Sequence, residues 1–103
     1  MKIGMNFLLW TGHVTEEHSD TFRRLKAVGF DGVEIPVFDT GSPAHYRHLG
    51  RILDDLGLER TVVALLPDEQ HSAISPVAAH REGAVSHLKR VVECANALGA
   101  SML

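Results

Sequence analysis

The sequence contains a single cysteine, no long apolar run and no large excess of charge of one sign. Cys94 is the only cysteine among 103 residues, so an intrachain disulfide is excluded, and its place inside a helical pattern predicts a buried, unreactive thiol. No apolar stretch reaches membrane-spanning length, and the amino terminus lacks the features of a signal peptide. From these absences we expect a cytoplasmic location.

The charge balance disfavours two classes of partner. The chain has 13 acidic and 10 basic residues, a formal net charge of −3, and its Lys and Arg residues are scattered. Nucleic acid backbones and anionic membranes both select a clustered basic surface. We therefore expect no nucleic acid and no membrane as partners, and the length fits a single domain covering residues 1–103.

Three segments repeat the same order of helix end, glycine and β-rich run. They are AVGFDGVEI at 27–35, DLGLERTVV at 55–63 and ALGASML at 97–103. Glycine closes helices because it adopts the left-handed backbone conformation without a Cβ penalty. Gly29, Gly57 and Gly99 therefore predict the ends of three helices.

The segments before these glycines also have matching helix starts. Thr15, Ser42 and Ser75 each offer a side-chain oxygen to the amides of a first helical turn, and proline follows the two serines. Apolar residues then recur at spacings of three and four, which is typical of a one-sided helix. The residues expected to face the core in the second and third helices are Tyr46, Leu49, Leu53 and Leu56, and Val85, Leu88, Val92, Ala95 and Leu98.

The runs between the helices are apolar on successive residues, as in strands buried on both faces of a parallel sheet. The predicted elements are β1 (about 2–9), α1 (15–28), β2 (31–37), α2 (43–56), β3 (60–66), α3 (76–98) and a fourth strand beginning at 101. An open doubly wound sheet and a (β/α)8 barrel both begin with such right-handed crossovers. From the repeat we predict the strand order 1-2-3 with all three helices on one side, and helices on both faces would favour the doubly wound sheet. The first β/α turn, LLWTGHVTEE, lacks a glycine-rich phosphate motif, which disfavours a dinucleotide-binding sheet.

With these elements in place, the chain resembles a known family. The segments MKIGMNFLLW, LKAVGFDGVEIPVFD, LDDLGL and SPVAAHREGAVSHLKRVVECANALGAS are similar to the amino-terminal part of the xylose-isomerase-like TIM-barrel superfamily, in particular its sugar (phosphate) isomerase/epimerase branch, which includes the ketose 3-epimerases. The resemblance implies an α/β fold, the N-terminal (β/α)3 portion of a TIM (β/α)8 barrel that ends at the start of strand 4. Because a complete barrel takes about 250 residues, it also implies that the chain is a fragment.

The resemblance further implies a reaction. Such enzymes act on a sugar or sugar phosphate by moving a proton next to the ketose carbonyl, through an enediolate, with a divalent metal ion (Mn²⁺, Mg²⁺ or Co²⁺). A carbon acid of this kind needs a cation for the developing oxyanion and a carboxylate within hydrogen-bond reach. In the superfamily the metal ligands and acid/base residues come from later strands, so we expect them beyond Leu103. Residues 1–103 are expected to hold no metal and no catalytic residue, and to be inactive alone.

This chain would instead contribute one side of the substrate pocket. Barrel active sites lie at the carboxyl ends of the strands, and the resemblance places substrate-binding residues there. They are Asn6, Phe7, Trp10, His13, Glu34 and Leu66. Family members often carry an aromatic residue at the position of Asn6 and a smaller residue at that of Leu66, which would reshape the pocket. Core packing stays an alternative for Phe7 and Trp10, and an ion pair in the barrel wall for Glu34.

The remaining polar candidates are expected to be surface residues. Asp39 and His71 fall in loops on the catalytic side and are expected to be solvated. His45 and His48 are three apart in a helix, but they have no nearby carboxylate or cysteine in a ligand pattern, so we expect them to face outward. The same is expected of His80 and His87.

Two other functions stay open at this point. An endonuclease of the apurinic-site repair type shares this barrel, but it is expected to have His ligands near the ends of β2 and β3, where this chain has VFDTG and LLPDE. A non-catalytic interaction module is the third interpretation, if 103 residues are the whole native protein.

A partial barrel would also expose two strand edges and its inner face. We place Val33, Ile35, Val63 and Leu65 on that face, so the isolated chain is expected to self-associate and the protein to be a homo-oligomer.

Overall fold

A computed structural model describes all 103 residues and contains one parallel sheet and three α-helices. The strands are β1 (Gly4–Asn6), β2 (Gly32–Val37) and β3 (Glu59–Ala64), in the order β1-β2-β3. The helices are α1 (Ser19–Ala27), α2 (Pro43–Leu56) and α3 (Ala78–Leu98), and short 3-10 turns occupy Phe7–Leu9, Glu16–His18 and Glu69–His71. The predicted alternation of strands and helices and the predicted strand order are confirmed. None of the helices combines the length and the apolarity needed to span a membrane.

All three helices cover the same face of the sheet, as the sequence predicts. Met5 pairs with Val33 and Ile35 pairs with Val62, so these side chains point to one side of the parallel ladder. The core beneath the helices combines strand residues with residues of every helix. It includes Phe7, Phe22, Leu25, Val33, Ile35, Val37, Tyr46, Leu49, Leu53, Val62, Val91, Cys94 and Leu98. The predicted burial of Cys94 is confirmed, and the opposite face of the sheet is left without a helix.

Two predictions about the strands are wrong in detail. β1 ends at Asn6 rather than near residue 9, because the Asn6 side chain accepts a hydrogen bond from the Leu8 N–H (2.8 Å) and starts a 3-10 turn. Val33 and Ile35 do not lie on the open face but are buried beneath the helices, at 3% and 0% exposure. Successive strand residues alternate between faces, so the open face receives Glu34 between them.

The ends of the helices follow the predicted glycines. Gly29, Gly57 and Gly99 have φ values of 105°, 68° and 79°, the left-handed conformation that closes a helix. Ser42 caps α2 by accepting from the His45 N–H at 3.3 Å. Ser75 does not cap α3, because its Oγ accepts from the N–H of Val77 in a turn that precedes the helix. The third helix therefore starts two residues later than predicted.

The buried face of α3 also differs from the prediction. Val85 and Val92, expected in the core, are 53% and 45% exposed. His87, expected at the surface, is buried, and its Nε2 lies 2.9 Å from the carbonyl oxygen of Leu65. The buried residues of this helix are Ala84, His87, Val91, Cys94, Ala95 and Leu98. The helix has apolar residues on two faces, and only contact with the rest of the fold selects between them.

The last residues of the chain begin to extend the sheet. After Gly99, the Ser101 N–H donates to the Arg60 carbonyl at 3.1 Å, and the Val62 N–H donates to the Met102 carbonyl at 2.9 Å. These bonds place residues 101–102 beside β3, although they form no regular strand. This is the position at which the sequence predicts a fourth strand.

Candidate functional site

Three polar side chains form a row across the open face of the sheet. Asn6, Glu34 and Thr61 occupy matching register positions in β1, β2 and β3. Asn6 Nδ2 donates to Glu34 Oε1 at 2.8 Å, and Thr61 Oγ1 donates to Glu34 Oε2 at 3.1 Å. Each oxygen of this half-buried carboxylate therefore has a partner, which offsets the cost of removing it from water. We call these three residues the polar row.

The polar row lines a groove of about 370 Å³ on the open face. Toward the amino ends of the strands, the groove is bordered by charged residues, and Lys2 Nζ lies 2.5 Å from Glu59 Oε1. This hydrogen bond raises the pKa of Lys2 above its ordinary value. Most of the residues that line the groove are thus polar or charged, in contrast to the apolar face beneath the helices.

Aromatic residues lie at the carboxyl end of β1. The Trp10 ring packs edge-on against the Phe7 ring, with centroids 5.0 Å apart, and Trp10 is 49% exposed. Phe7 is completely buried, and its ring centroid lies 4.8 Å from that of Phe22. Phe7 therefore has no accessible surface for a ligand in this chain, whereas Trp10 offers about half of its surface.

His13 lies at the same end of the sheet, in the loop before α1. Its exposed ring stacks on that of His45, with centroids 4.8 Å apart and an interplanar angle of 21°. His45 does not face outward as expected, since it is half-buried and its Nε2 lies 2.8 Å from the Val14 carbonyl oxygen. A Cβ on Gly12 would lie 3.2 Å from the Phe38 ring, so the loops that follow β1 and β2 are in direct contact.

The other histidines have partners as well. His48 is exposed as predicted, but its Nε2 lies 3.0 Å from a carboxylate oxygen of Glu16, a neighbour that the sequence analysis did not foresee. His80 is half-buried rather than on the surface, with Nδ1 3.2 Å from Ser75 Oγ. The rings of His48 and His80 therefore each contact one polar side chain, that of Glu16 and that of Ser75. These two contacts hold the segments before α1 and α3 in place.

Leu66, Asp39 and His71 lie in the loops that follow β2 and β3. Leu66 is 37% exposed. The Asp39 carbonyl accepts from the Tyr46 hydroxyl at 2.7 Å, so Asp39 belongs to an ordered loop. His71 Nδ1 lies 2.6 Å from Asp68 Oδ1, and this hydrogen bond lowers the pKa of Asp68. Asp39 and His71 are thus tied to neighbouring groups rather than only solvated.

The sequence analysis missed two residues that organise this sheet. Thr61 completes the polar row. The sequence indicates this only through the position of Thr61 in β3, which pairs with Glu34 once the register is known. Arg60 lies on the helix side of the same strand, with its side chain only 10% exposed. Its guanidinium donates to the carbonyls of Gly50, Leu58 and Leu98 and to the carboxylate of Asp54. A single arginine thereby joins the carboxyl ends of α2 and α3.

The donors among residues 1–103 do not fit a divalent metal ion. No group of three or more His, Cys, Asp or Glu side chains could hold one together. Both oxygens of Glu34 already accept hydrogen bonds from the polar row. His13 with His45, and Asp68 with His71, are pairs that lack the further ligands a protein metal site needs.

Comparison with known proteins agrees with this architecture. Residues 22–103 match the family model described as xylose isomerase-like TIM barrel. A crystal structure of D-psicose 3-epimerase in the presence of D-fructose is 20% identical, with a TM-score of 0.78 over 97% of this chain and 35% of that chain. A D-psicose 3-epimerase from Clostridium cellulolyticum H10 with D-tagatose is 21% identical, with a TM-score of 0.65 over 91% of this chain and 34% of that chain.

The chain thus spans about a third of the length of these two structures. A search of curated proteins gave no match. At these identities the similarity establishes the fold, and it confirms the predicted N-terminal (β/α)3 part of a TIM barrel.

Proposed function

The chain belongs to the xylose isomerase-like TIM barrel family, and from this membership we propose that it is part of an enzyme that isomerises or epimerises a sugar. Two solved structures that share its fold are sugar epimerases. The observation that carries the proposal is the half-exposed Trp10 at the carboxyl end of β1, which closes the turn that Asn6 of the polar row caps. An aromatic face beside fixed polar groups is the usual composition of a small-molecule pocket, and barrel enzymes bind at this end of their strands.

The substrate we propose is a ketose or a ketose phosphate, and the reaction is proton transfer at the carbon beside its carbonyl. Trp10 would pack against the carbon skeleton of the sugar, since an aromatic ring offers a broad apolar face. His13 would donate a hydrogen bond to a hydroxyl group, and the half-exposed Leu66 would narrow the opposite side of the pocket. We assign the acid and base that move the proton to residues outside this segment.

We also assign the metal to residues outside this segment, because the donors present here do not fit one. When bound, Mn²⁺, Mg²⁺ or Co²⁺ would supply positive charge to the oxyanion that develops during proton transfer. The 103-residue chain alone is therefore expected to be inactive. In the complete protein, we propose that this segment forms one wall of the pocket and limits the access of water.

Deuterium incorporation tests this function. The protein is expressed from its natural coding sequence and incubated in D₂O with ketoses and ketose phosphates, with Mn²⁺, Mg²⁺ or Co²⁺ added. We expect deuterium to enter beside the carbonyl as a second isomer forms. Trp10→Ala should raise KM by roughly 3- to 10-fold, the size of a lost aromatic contact.

Val92→Ala is the matched control, since Val92 is half-exposed on α3 and is expected to leave KM unchanged. A protein that binds metal but incorporates no deuterium into any of these sugars would contradict the proposed function. An unchanged KM in Trp10→Ala would contradict the role given to Trp10.

A further inference from the structure

Asn6 connects the polar row to the turn that carries Trp10. Both polar atoms of its side-chain amide form hydrogen bonds. Nδ2 donates to Glu34 Oε1 at 2.8 Å, and Oδ1 accepts from the Leu8 N–H at 2.8 Å. The second bond caps the 3-10 turn Phe7–Leu9. One side chain therefore joins a carboxylate on the open face of β2 to the first turn after β1.

The capped turn also fixes the position of Trp10. The Phe7 carbonyl accepts from the N–H groups of Trp10 and Thr11, each at 3.0 Å, and Trp10 closes the turn. The Phe7 ring is buried against Phe22, so it gives the Trp10 ring a rigid surface to pack on. The direction of the Trp10 side chain thus depends on the geometry of the turn Phe7–Leu9.

Glu34 determines the orientation of the Asn6 amide. An ionised carboxylate can only accept hydrogen bonds, so Asn6 must turn its NH₂ group toward Glu34 and its oxygen toward Leu8. Thr61 holds the other oxygen of Glu34, which keeps the carboxylate in place between the two flanking strands. The Glu34 side chain is therefore linked, through Asn6, to the capping of the turn.

We propose that Glu34 and Asn6 are positioning residues, which set the place of Trp10 at the carboxyl end of β1. For Asn6 this assignment differs from the substrate contact that the sequence resemblance implies, and for Glu34 it specifies a supporting role near the pocket, which the resemblance also allows. Only the contact between Trp10 and a sugar rests on the proposed function. The link from Glu34 through Asn6 to Trp10 is a property of this chain and is measurable without substrate.

Exchanging donors and acceptors tests the link. Asn6→Asp places a second carboxylate against Glu34, and repulsion between them disrupts the pair. Combining Asn6→Asp with Glu34→Gln restores both bonds with one direction reversed, since the new carboxylate accepts from the new amide and from the Leu8 N–H. Glu34→Gln alone is expected to be mild, because its amide can accept from Asn6 and donate to Thr61.

Trp10 is the only tryptophan of the chain, so its fluorescence reports on the site directly. We expect Asn6→Asp to shift the emission and increase quenching by acrylamide. Because repulsion from Glu34 turns the new side chain away from the turn, hydrogen exchange at the Leu8 amide should become about fivefold faster, the size of a lost helix cap. The double variant should return both readouts toward those of the unsubstituted chain. Asn6→Ala removes both bonds without adding charge, and its folded form should show the same two changes.

Arg60→Lys is the control, because it weakens the contacts at the amino end of β3 and leaves the turn after β1 intact. It should lower stability without altering Trp10 emission in the folded protein. Unchanged emission and Leu8 exchange in Asn6→Asp would overturn the proposal, as would a double variant that remains as perturbed as the single one. Neither readout involves sugar turnover, so failure of the proposed function would be seen separately.

Discussion

At the scale of single residues, two buried acids in the core respond to alkaline solution. Burial raises the pKa of the Cys94 thiol, and burial also raises the pKa of the Tyr46 phenol well above its ordinary value. Tyr46 donates its hydroxyl proton to the Asp39 carbonyl, which further requires the neutral phenol. Both groups are therefore held in their protonated form by the fold.

We expect the free energy of unfolding to fall in alkaline solution. A group whose pKa is raised by folding contributes its full stability below the pKa of the unfolded chain, about 8.5 for Cys and about 10 for Tyr, and this contribution is lost as the pH rises further. Urea unfolding between neutral pH and pH of about 10.5 measures the effect. Cys94→Ala should make the free energy of unfolding fall less steeply with pH above the pKa of an unfolded thiol. Tyr46→Phe should do so only in the more alkaline part of this range. An identical slope in all three proteins would contradict this assignment.

At the scale of elements, the approach of α2 to α3 depends on a glycine inside a helix. A Cβ on Gly50 would lie 2.6 Å from the Leu98 carbonyl oxygen, closer than any relaxed contact. The Arg60 guanidinium donates to the carbonyls of both residues, so the two helices meet where this arginine joins them. The close contact thus serves the same junction as the buried arginine.

Gly50→Ala is expected to destabilise the chain by about 1–3 kcal/mol, the usual cost of overpacking. The substitution improves helix propensity by roughly 1 kcal/mol, so a loss of stability can only come from the contact with α3. Urea unfolding of the variant measures it. Ser86→Ala, at an exposed position of α3, is the control and should be neutral or slightly stabilising. A stabilised Gly50→Ala protein would show that the helices can move apart at no cost.

At the scale of the whole molecule, the sheet is covered by helices on one face, open along the outer edge of β1 and only partly covered along the outer edge of β3. No strand pairs with β1 on its outer side, and the outer side of β3 has only the bonds to residues 101–102. Exposed apolar side chains lie near these edges, among them Ile3 at 52% and Met102 at 69% exposure. Unpaired strand edges and apolar surface favour association with a second chain.

We expect the 103-residue chain to self-associate at micromolar concentration, as measured by sedimentation velocity. Ile3→Lys should weaken the association, because a charge next to β1 opposes pairing at its edge. Val28→Lys places the same charge at the end of α1, where the side chain is 73% exposed, and should have little effect. A monomer with a sharp cooperative melt would show that this chain closes its own core.

The sequence by itself determined the features whose causes lie within a few residues. The helix ends at Gly29, Gly57 and Gly99 follow from a backbone conformation that glycine adopts freely. Ser42 caps its helix through the fourth residue of the same segment. The alternation of strands and helices follows from the local patterns, and the repeat predicted the strand order with the helices on one side. The family resemblance added the barrel, to which residues 22–103 belong.

Only the tertiary structure decided the features that depend on distant partners. The choice between the two apolar faces of α3 was made by packing, which buried His87 and exposed Val85. Asn6, Glu34 and Thr61 meet because of strand register, which no local signal specifies. Their distances along the chain are 28 and 27 residues, yet they share hydrogen bonds of ordinary length. A hydrogen bond acts over about 3 Å, so the sequence could supply these three side chains but only the fold could bring them together.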